Sequence, residues 1–357
     1  MVIPLLRPSC TEDELRAVTD VLKSGWWGLG PVCKAVETRL SELYPEYPYC
    51  VTTNSATAAL HMAMLVNNIG PGDEVIVPAL TFVSTALAVS YVGATPVFAD
   101  VDRDTLCLSV ETVREKITPR TRAVIFVDYA GYPALVQRGE FDFPIIQDAA
   151  HSCGGVGYGD QVCFSFHAVK NIATGDGGAI LLKDREMAER VRALCWCGIN
   201  KSTWERAEKK YGWDYSIEEI GYKCHWNDIQ ASIALTQLRR MPALLGKRAE
   251  IASLYAQGLR DVCQLPEKHA RHTWHLFPIR VAAERRDSVI SYLIERGISA
   301  GVHYKPLTYY SMYADQPTPP VTDSEWRRLI SLPIFYDLSI DEQAQIILAL
   351  KRLGSLR

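Results

Sequence analysis

Short apolar runs rich in β-branched residues alternate with helix-forming stretches through the first half of the chain. Parallel strands must be joined by crossovers, which are usually helices, so this alternation predicts βαβ units. The expected fold is α/β, a mostly parallel sheet flanked by helices. The predicted strands lie at residues 49–53, 74–78, 96–100, 122–127, 143–147, 162–166 and 178–182.

The pattern changes after a long predicted helix at residues 227–255. We therefore predict two domains, a large one at residues 1–239 and a smaller C-terminal α+β domain at residues 240–357. The polar, aromatic segment 198–222 has weak periodicity and is expected to be a long excursion. The elements expected in the second domain are a strand at 274–281 and helices at 288–296 and 341–353.

Composition excludes several classes of protein. The net charge is −3, from 38 Lys+Arg and 41 Asp+Glu, which argues against nucleic acid as the main partner. No apolar run approaches the roughly 18 residues of a membrane span, and no signal peptide is expected. The ten cysteines form no CxxC pair, which predicts reduced, buried thiols in a cytoplasmic protein and no metal site.

A first candidate binding segment follows the strand at residues 49–53. Ser55, Ala56 and Thr57 are small residues at a predicted helix start, where backbone N–H groups and the helix dipole favour an anion. The alternative is a plain helix N-cap, which any helix can use.

A second candidate is an acid at the end of an apolar strand. Asp148 would be partly buried there and would need a cationic or N–H partner. His151 follows three residues later. The alternatives are an aspartate that caps the next helix and a histidine that is only a satisfied polar residue.

A third candidate is Lys170, which follows the strand at 162–166 and precedes a glycine-rich turn. A desolvated lysine has a lowered pKa and can form a Schiff base with a carbonyl. The alternative is a surface lysine in a turn. The nucleotide-binding patterns GxGxxG and GxxxxGK[ST] are absent from the sequence.

Together the three segments supply what pyridoxal phosphate (PLP) requires. Its phosphate needs a helix N-terminus, its pyridine nitrogen needs a carboxylate, and its aldehyde needs a lysine. In an open α/β sheet all three would meet at the carboxyl ends of the strands.

The chain also resembles the DegT/StrS family of sugar aminotransferases, which have the aspartate aminotransferase type I fold of PLP enzymes. The resemblance extends over nearly the whole chain. The residues that carry it are Ile3–Leu5, Ser24–Trp26, Gly30–Pro31, Gly70–Pro78, Thr81–Phe82, Gly93–Phe98, Gln147–His151, Phe164–Phe166, Lys170, Gly175–Gly178, Asn227–Ala231, His275–Phe277 and Gly301–Pro306.

The resemblance implies a role for each candidate. Lys170 would bond to the cofactor aldehyde and move the proton, and Asp148 would pair with the pyridine nitrogen. His151 would lie near the ring oxygen, and Phe82 would stack on the ring face. The residues implied to bind the phosphate are Ser55, Ala56, Thr57 and Ser165.

The resemblance further implies a homodimer with active sites at the interface. Many members have Gly-Tyr-Asn-Tyr-Arg at residues 221–225, where this chain carries Lys223 instead of the asparagine that reaches the neighbouring subunit's phosphate. Lys223 could act there as a point charge. Trp26 and Trp27 could contact the substrate or could equally lie in the dimer interface. The candidates for contacting substrate are Trp26, Trp27, His225, His303 and Tyr304.

The resemblance implies the transfer of an amino group from an amino acid to a keto sugar. The amino donor that the family generally uses is L-glutamate. The sugar is expected to be a nucleotide-linked 3- or 4-keto-6-deoxy sugar. Family members that are sugar dehydratases carry histidine in place of the lysine, so Lys170 favours transamination. The alternatives are amination of a cyclitol such as an inosose, and a non-catalytic PLP-binding sensor.

Overall fold

The computed structural model of the chain describes residues 2–199 and 215–357. Of the predicted excursion at residues 198–222, residues 200–214 lie outside the described part. Among the described helices, none combines the length and the apolar character needed to span a bilayer.

A seven-stranded sheet forms the centre of the molecule, in the order β1-β7-β6-β5-β4-β2-β3. The pairs β2–β3, β2–β4, β4–β5 and β5–β6 are parallel, whereas β7 is antiparallel to both β1 and β6. The prediction of a mostly parallel sheet is confirmed. Its strands are β1 (Tyr49–Thr53), β2 (Glu74–Pro78), β3 (Thr95–Ala99), β4 (Thr121–Val127), β5 (Ile145–Asp148), β6 (Gln161–Ser165) and β7 (Gly178–Leu182).

Ten helices of the described residues flank this sheet and a second, two-stranded sheet. Thr11 and Glu14 form a capping box at the start of α1, where the Thr11 N–H donates to the Glu14 carboxylate at 2.8 Å. The helices are α1 (Glu12–Ser24), α2 (Pro31–Leu43), α3 (Ala56–Val66), α4 (Ser84–Tyr91), α5 (Val110–Arg114), α6 (Arg185–Cys195), α7 (Asp228–Leu259), α8 (Arg286–Ile294), α9 (Pro320–Trp326) and α10 (Ile340–Lys351).

The long helix α7 joins two hydrophobic cores. Leu238 and Leu244 pack in a core with α2 and the sheet, whereas Tyr255 and Leu259 pack in a core near the C-terminus. The second core also contains the antiparallel strands β8 (Phe277–Arg280) and β9 (Leu329–Leu332). The division of the chain at residues 239 and 240 stays a prediction.

Strand directions bring the candidate segments to one edge of the sheet. The parallel strands β5 and β6 end there at Asp148 and Ser165. Because β7 runs antiparallel, its first residue, Gly178, pairs with Ser165 at this edge. Thr53, the last residue of β1, pairs with Gly178 from the other side. The loops that follow β1, β5 and β6 therefore open on the same edge.

Glu37 of α2 holds β1 and α6 together. Its buried carboxylate accepts a hydrogen bond from the Thr52 N–H at 3.0 Å and one from Arg192 Nη2 at 2.7 Å. Removing one partner of a buried ion pair leaves an uncompensated charge and unpaired donors.

We predict that Glu37→Ala lowers the free energy of unfolding by about 3–5 kcal/mol, measured by urea denaturation. The matched control on the same helix is Arg39→Ala, which breaks an exposed pair with Glu42 and should cost about 0–1 kcal/mol. Equal losses in the two variants would contradict the role given to Glu37.

Candidate active site

The loop after β1, for which the sequence predicts phosphate binding, leads directly into the N-terminus of α3 and is called the cradle loop below. Ser55 is the N-cap of α3, and its Oγ accepts a hydrogen bond from the Ala58 N–H at 3.1 Å. The N–H groups of Ala56 and Thr57 belong to the first helical turn, which has no intrahelical acceptor for them. A Cβ at Gly178 would lie 2.5 Å from the Ser55 carbonyl carbon, so the close approach of β7 to this loop requires glycine.

The carboxylate of Asp148 points into this edge of the sheet and is only 5% exposed. Its Oδ2 accepts a hydrogen bond from the Thr85 hydroxyl at 2.8 Å, and its Oδ1 accepts one from the Ala150 N–H at 3.2 Å. Burial raises the pKa of Asp148 despite these bonds and the nearby Lys170 charge. A cation placed against this carboxylate would offset the cost of its burial.

Lys170 lies in a turn after β6, where its N–H donates to the His167 carbonyl at 2.8 Å. Its side chain is partly buried. Burial lowers the pKa of Lys170 to about 8, and the Asp148 charge opposes that shift. A larger share of the amine is therefore neutral near pH 7 than in a solvated lysine, and the neutral amine is the form that acts as a nucleophile. The alternative of a fully solvated surface lysine does not match this environment.

Ser165 and Phe82 border the same region. Ser165 is the last residue of β6, and its Oγ accepts from the His167 N–H at 3.3 Å. Phe82 follows β2 and is 55% exposed, and its ring centroid lies 6.0 Å from that of Tyr304. Exposing a large aromatic face to water is unfavourable. A planar ligand stacked on Phe82 would remove that exposure.

His151 is 4% exposed, and its hydrogen bonds define its tautomer. Its Nδ1 accepts from the Ala130 N–H at 3.2 Å, so Nε2 carries the proton and donates to the Tyr304 hydroxyl at 3.0 Å. Tyr304 thus keeps its own proton for another acceptor. Burial, followed by the Lys170 charge, lowers the pKa of His151 well below its ordinary value, so the imidazole is neutral.

His303 lies close to the same lysine. Its Nδ1 is 2.8 Å from the Ser331 Oγ, and its carbonyl accepts a hydrogen bond from the Tyr129 hydroxyl. Burial and then the Lys170 charge lower the pKa of His303 to about 4. Of the predicted substrate contacts, the structure therefore brings His303 and Tyr304 together with Lys170.

The remaining predicted substrate contacts lie in a second group, around a cavity of about 340 Å³. Trp26, Trp27 and His225 line it together with Trp196, which sequence reasoning missed. The Lys223 Nζ lies 3.3 Å from the centroid of the Trp196 ring. His225 pairs with Thr53 in an isolated bridge, so this group borders the cradle loop.

Asp228 fixes the loop that carries the two tryptophans. Its carboxylate accepts from the Gly30 N–H at 3.1 Å and the Cys33 N–H at 2.9 Å, at the start of α2. Its own N–H donates to the Gly28 carbonyl at 2.9 Å. Asn227 beside it is the N-cap of α7.

Sequence reasoning assigned no role to Thr85 or to His275, although His275 is among the residues that carry the family resemblance. Thr85 contacts Asp148 from a helix 63 positions earlier in the chain. The ring of His275 lies 4.4 Å from that of His151. The sequence around them does not reveal these contacts, since each contact arises only through the packing of distant elements.

The donor set fits PLP. A partly neutral lysine suits the aldehyde, a buried carboxylate suits the pyridine nitrogen, and a helix N-terminus beside a glycine suits the phosphate. At Gly178 the absence of a side chain lets the backbone at Ser55 and Ala56 lie directly against the start of β7, which positions this helix N-terminus at the edge of the sheet.

Comparison with known proteins agrees with this chemistry. The family model of the DegT/DnrJ/EryC1/StrS aminotransferase family matches residues 8–351. The chain belongs to this family. It is therefore a PLP-dependent aminotransferase of the sugar aminotransferase class, and the predictions of family, fold type and cofactor are confirmed.

Solved structures of this family match over almost their full length. Spr1654 of Streptococcus pneumoniae, assigned as a sugar aminotransferase and solved in its PMP form, is 34% identical, with a TM-score of 0.90 and 98% of each chain covered. The aminotransferase TlmJ of Streptoalloteichus hindustanus is 32% identical, with a TM-score of 0.90 over 99% of this chain and 98% of that one. Helicobacter pylori PseC, involved in pseudoaminic acid biosynthesis, is 26% identical with a TM-score of 0.90 over 99% of each chain.

We predict that the rate at which the cofactor-free protein takes up PLP rises with pH through a midpoint near 8. The reason is that the neutral Lys170 amine is the reactive form, and burial lowers its pKa to about 8. Stopped-flow absorbance at a series of pH values measures this rate. A midpoint near the ordinary lysine value would show that Lys170 is not desolvated.

Proposed function

We propose that this aminotransferase moves the amino group of L-glutamate to the keto group of a nucleotide-linked sugar. The observation that carries the proposal is the placement of a lysine of lowered pKa beside a buried carboxylate, at the edge where the cradle loop also opens. Membership of the family and likeness to sugar aminotransferases support a sugar as the acceptor.

The proposed cofactor contacts follow from the donor set. Asp148 would hold the pyridine nitrogen, Phe82 would cover one ring face, and His151 would lie at the ring edge. PLP supplies an aldehyde that accepts the amino group and a protonated ring that stores an electron pair. The cradle of Ser55, Ala56 and Thr57, with the hydroxyl of Ser165, would hold the phosphate.

Lys170 is proposed to move the proton in both half-reactions. Its Nζ takes the proton from the α-carbon of the amino donor and, in the return direction, gives a proton to the sugar carbon that receives the amino group. A pKa near 8 suits both tasks, because general acid–base catalysis is most efficient when the pKa lies near the working pH.

Tyr304 and His303 are proposed to face the sugar. Because Tyr304 accepts a hydrogen bond from His151, its hydroxyl is left to donate to a sugar oxygen. Trp26, Trp27, His225 and Lys223 lie in the second group, beside the cradle loop. We propose that they act in a homodimer whose active sites lie at the interface, as the family resemblance implies.

We place the reaction in the cytoplasm. All ten cysteines are free thiols, which favours a reducing compartment. Eight of them are buried, as expected, whereas Cys10 and Cys197 are exposed, because they lie outside the packed cores.

The deciding experiment follows the visible absorbance of the PLP-bound protein. L-glutamate alone should convert the PLP spectrum to the pyridoxamine phosphate spectrum, and a nucleotide-linked keto sugar should restore it. A panel of 3-keto and 4-keto-6-deoxy sugars, with an inosose as a further acceptor, identifies the substrate. Lys170→Ala is the control and should bind cofactor without turnover.

Restoration by the inosose alone would replace the sugar proposal with a cyclitol. A spectrum that no amino donor changes would overturn the proposal and favour a sensor. Substantial turnover by Lys170→Ala would overturn the role of the lysine.

We predict that Asp148→Asn lowers the rate of the glutamate half-reaction about 100-fold, because the pyridine nitrogen loses the charge that keeps it protonated. Single-turnover absorbance measures the rate. The control is Asp20→Asn, an exposed aspartate on α1, which should leave the rate unchanged. A near-normal rate in Asp148→Asn would rule out the pairing.

A further inference from the structure

Arg248 is a buried cation in the middle of α7, with 5% of its surface exposed. Among residues 2–199 and 215–357, no carboxylate lies within ion-pair distance of it. Its Nη1 instead lies 3.2 Å from the Trp274 carbonyl, 3.2 Å from the His275 carbonyl and 3.1 Å from the Ile334 carbonyl. Burying an unpaired guanidinium is costly, so this arrangement requires an explanation beyond packing.

Two of the three carbonyls that Arg248 contacts, those of Trp274 and His275, belong to a strained turn. Trp274 has a φ of +52°, in the left-handed region that bulky side chains rarely occupy. Such a residue stays in place only where its surroundings enforce the conformation. Arg248 contacts this turn from the side of α7, where its Nη1 lies within hydrogen-bond distance of the carbonyl of the strained residue and of the carbonyl of the next residue.

The same turn carries a histidine into the active site. His275 follows Trp274 directly, and its ring lies 4.4 Å from the ring of His151. Thr273, just before the strained residue, donates through its hydroxyl to the His151 carbonyl at 2.8 Å. Side chains of this turn therefore contact both the ring and the backbone carbonyl of His151.

The His275 side chain is buried, and its Nδ1 has no hydrogen-bond partner within the described part of the chain. Its position is thus set by the backbone of the turn and by the contact with His151.

We propose that Arg248 is a positioning residue of the active site, which holds the turn at Trp274 and thereby fixes His275 against the His151 imidazole. His151 in turn holds the Tyr304 hydroxyl at 3.0 Å. The proposal rests on the role given above to His151 and adds a residue that lies outside the cofactor pocket.

The matched control is Tyr255→Phe. Tyr255 lies on the same helix, two turns beyond Arg248, and its hydroxyl donates to the Pro333 carbonyl at 2.9 Å. The variant removes a buried hydrogen bond to the residue beside Ile334 and leaves the turn at Trp274 untouched. Tyr255→Phe therefore shows how the loss of one buried hydrogen bond from α7 affects the rate and the hydrogen exchange when His275 is not displaced.

The test compares Arg248→Lys with this control in the PLP-bound protein. A lysine keeps the charge, but its side chain ends one bond short of the position of Nη1, so its ammonium does not reach the point at which the three carbonyls converge. We expect hydrogen exchange of the peptide covering residues 272–276 to rise in Arg248→Lys and to stay at the parent level in Tyr255→Phe. We also expect Arg248→Lys to slow the glutamate half-reaction about tenfold with little change in KM, because a small misplacement near reacting groups is costly.

A double-mutant cycle decides whether the effect passes through His275. The slowing caused by Arg248→Lys and by His275→Asn should be non-additive, since both displace the same imidazole contact. Additive effects, or an Arg248→Lys variant that matches Tyr255→Phe in rate and exchange, would overturn the proposal. Where Arg248→Lys does not fold, Arg248→Gln takes its place, and an unchanged rate in His275→Asn alone would overturn the proposal as well.

The two readouts separate this proposal from the one on function. Hydrogen exchange at residues 272–276 does not depend on which amino donor or acceptor the enzyme uses. A parent protein that does not react with glutamate would contradict the donor assignment, whereas unchanged exchange in Arg248→Lys would contradict the role of Arg248.

Discussion

The electrostatic pair on which the active site depends is Asp148 and Lys170. Neither group is well solvated, so burial raises the pKa of the carboxyl and lowers that of the amine, while their mutual attraction opposes both shifts. A pocket with these two groups gains from a ligand that brings a cation to Asp148 and a carbonyl to Lys170. PLP carries both on one ring, which is why the pair matches this cofactor better than either residue alone indicates.

Strand direction explains how a third element reaches the same pocket. In an all-parallel sheet, β7 would begin at the opposite edge, far from the end of β6. Here β7 is antiparallel, so Gly178 lies between Ser165 and Thr53. The missing side chain of Gly178 lets the cradle loop approach, since any Cβ would collide with the Ser55 backbone. Topology and one glycine thus place the loop at Ser55 on the same edge of the sheet as the loop that carries Lys170.

Much of this could be predicted from sequence, because the relevant signals are local. The alternation of strands and helices, the Thr11 capping box and the strands predicted at 143–147 and 162–166 each depend on a few adjacent residues. Strand β9 and helix α9 were not predicted, because both are short and lack clear periodicity. The contact of Thr85 with Asp148 and the exposure of Phe82 arise from packing between distant segments, on which local patterns carry no information. The roles of individual site residues stay predictions.

The histidines around Lys170 show how packing determines chemistry. Burial, followed by neighbouring positive charges, lowers the pKa values of His151, His275 and His303, so all three are neutral near pH 7. They therefore act as hydrogen-bonding groups of defined orientation and add no cation to the pocket. A protonated imidazole here would lower the pKa of Lys170 further and repel the protonated ring that Asp148 is suited to hold. Because the three histidines are neutral, Lys170 and Asp148 determine the charge of the pocket. The orientation of the imidazole rings, which the backbone sets, therefore matters more than the titration of these rings.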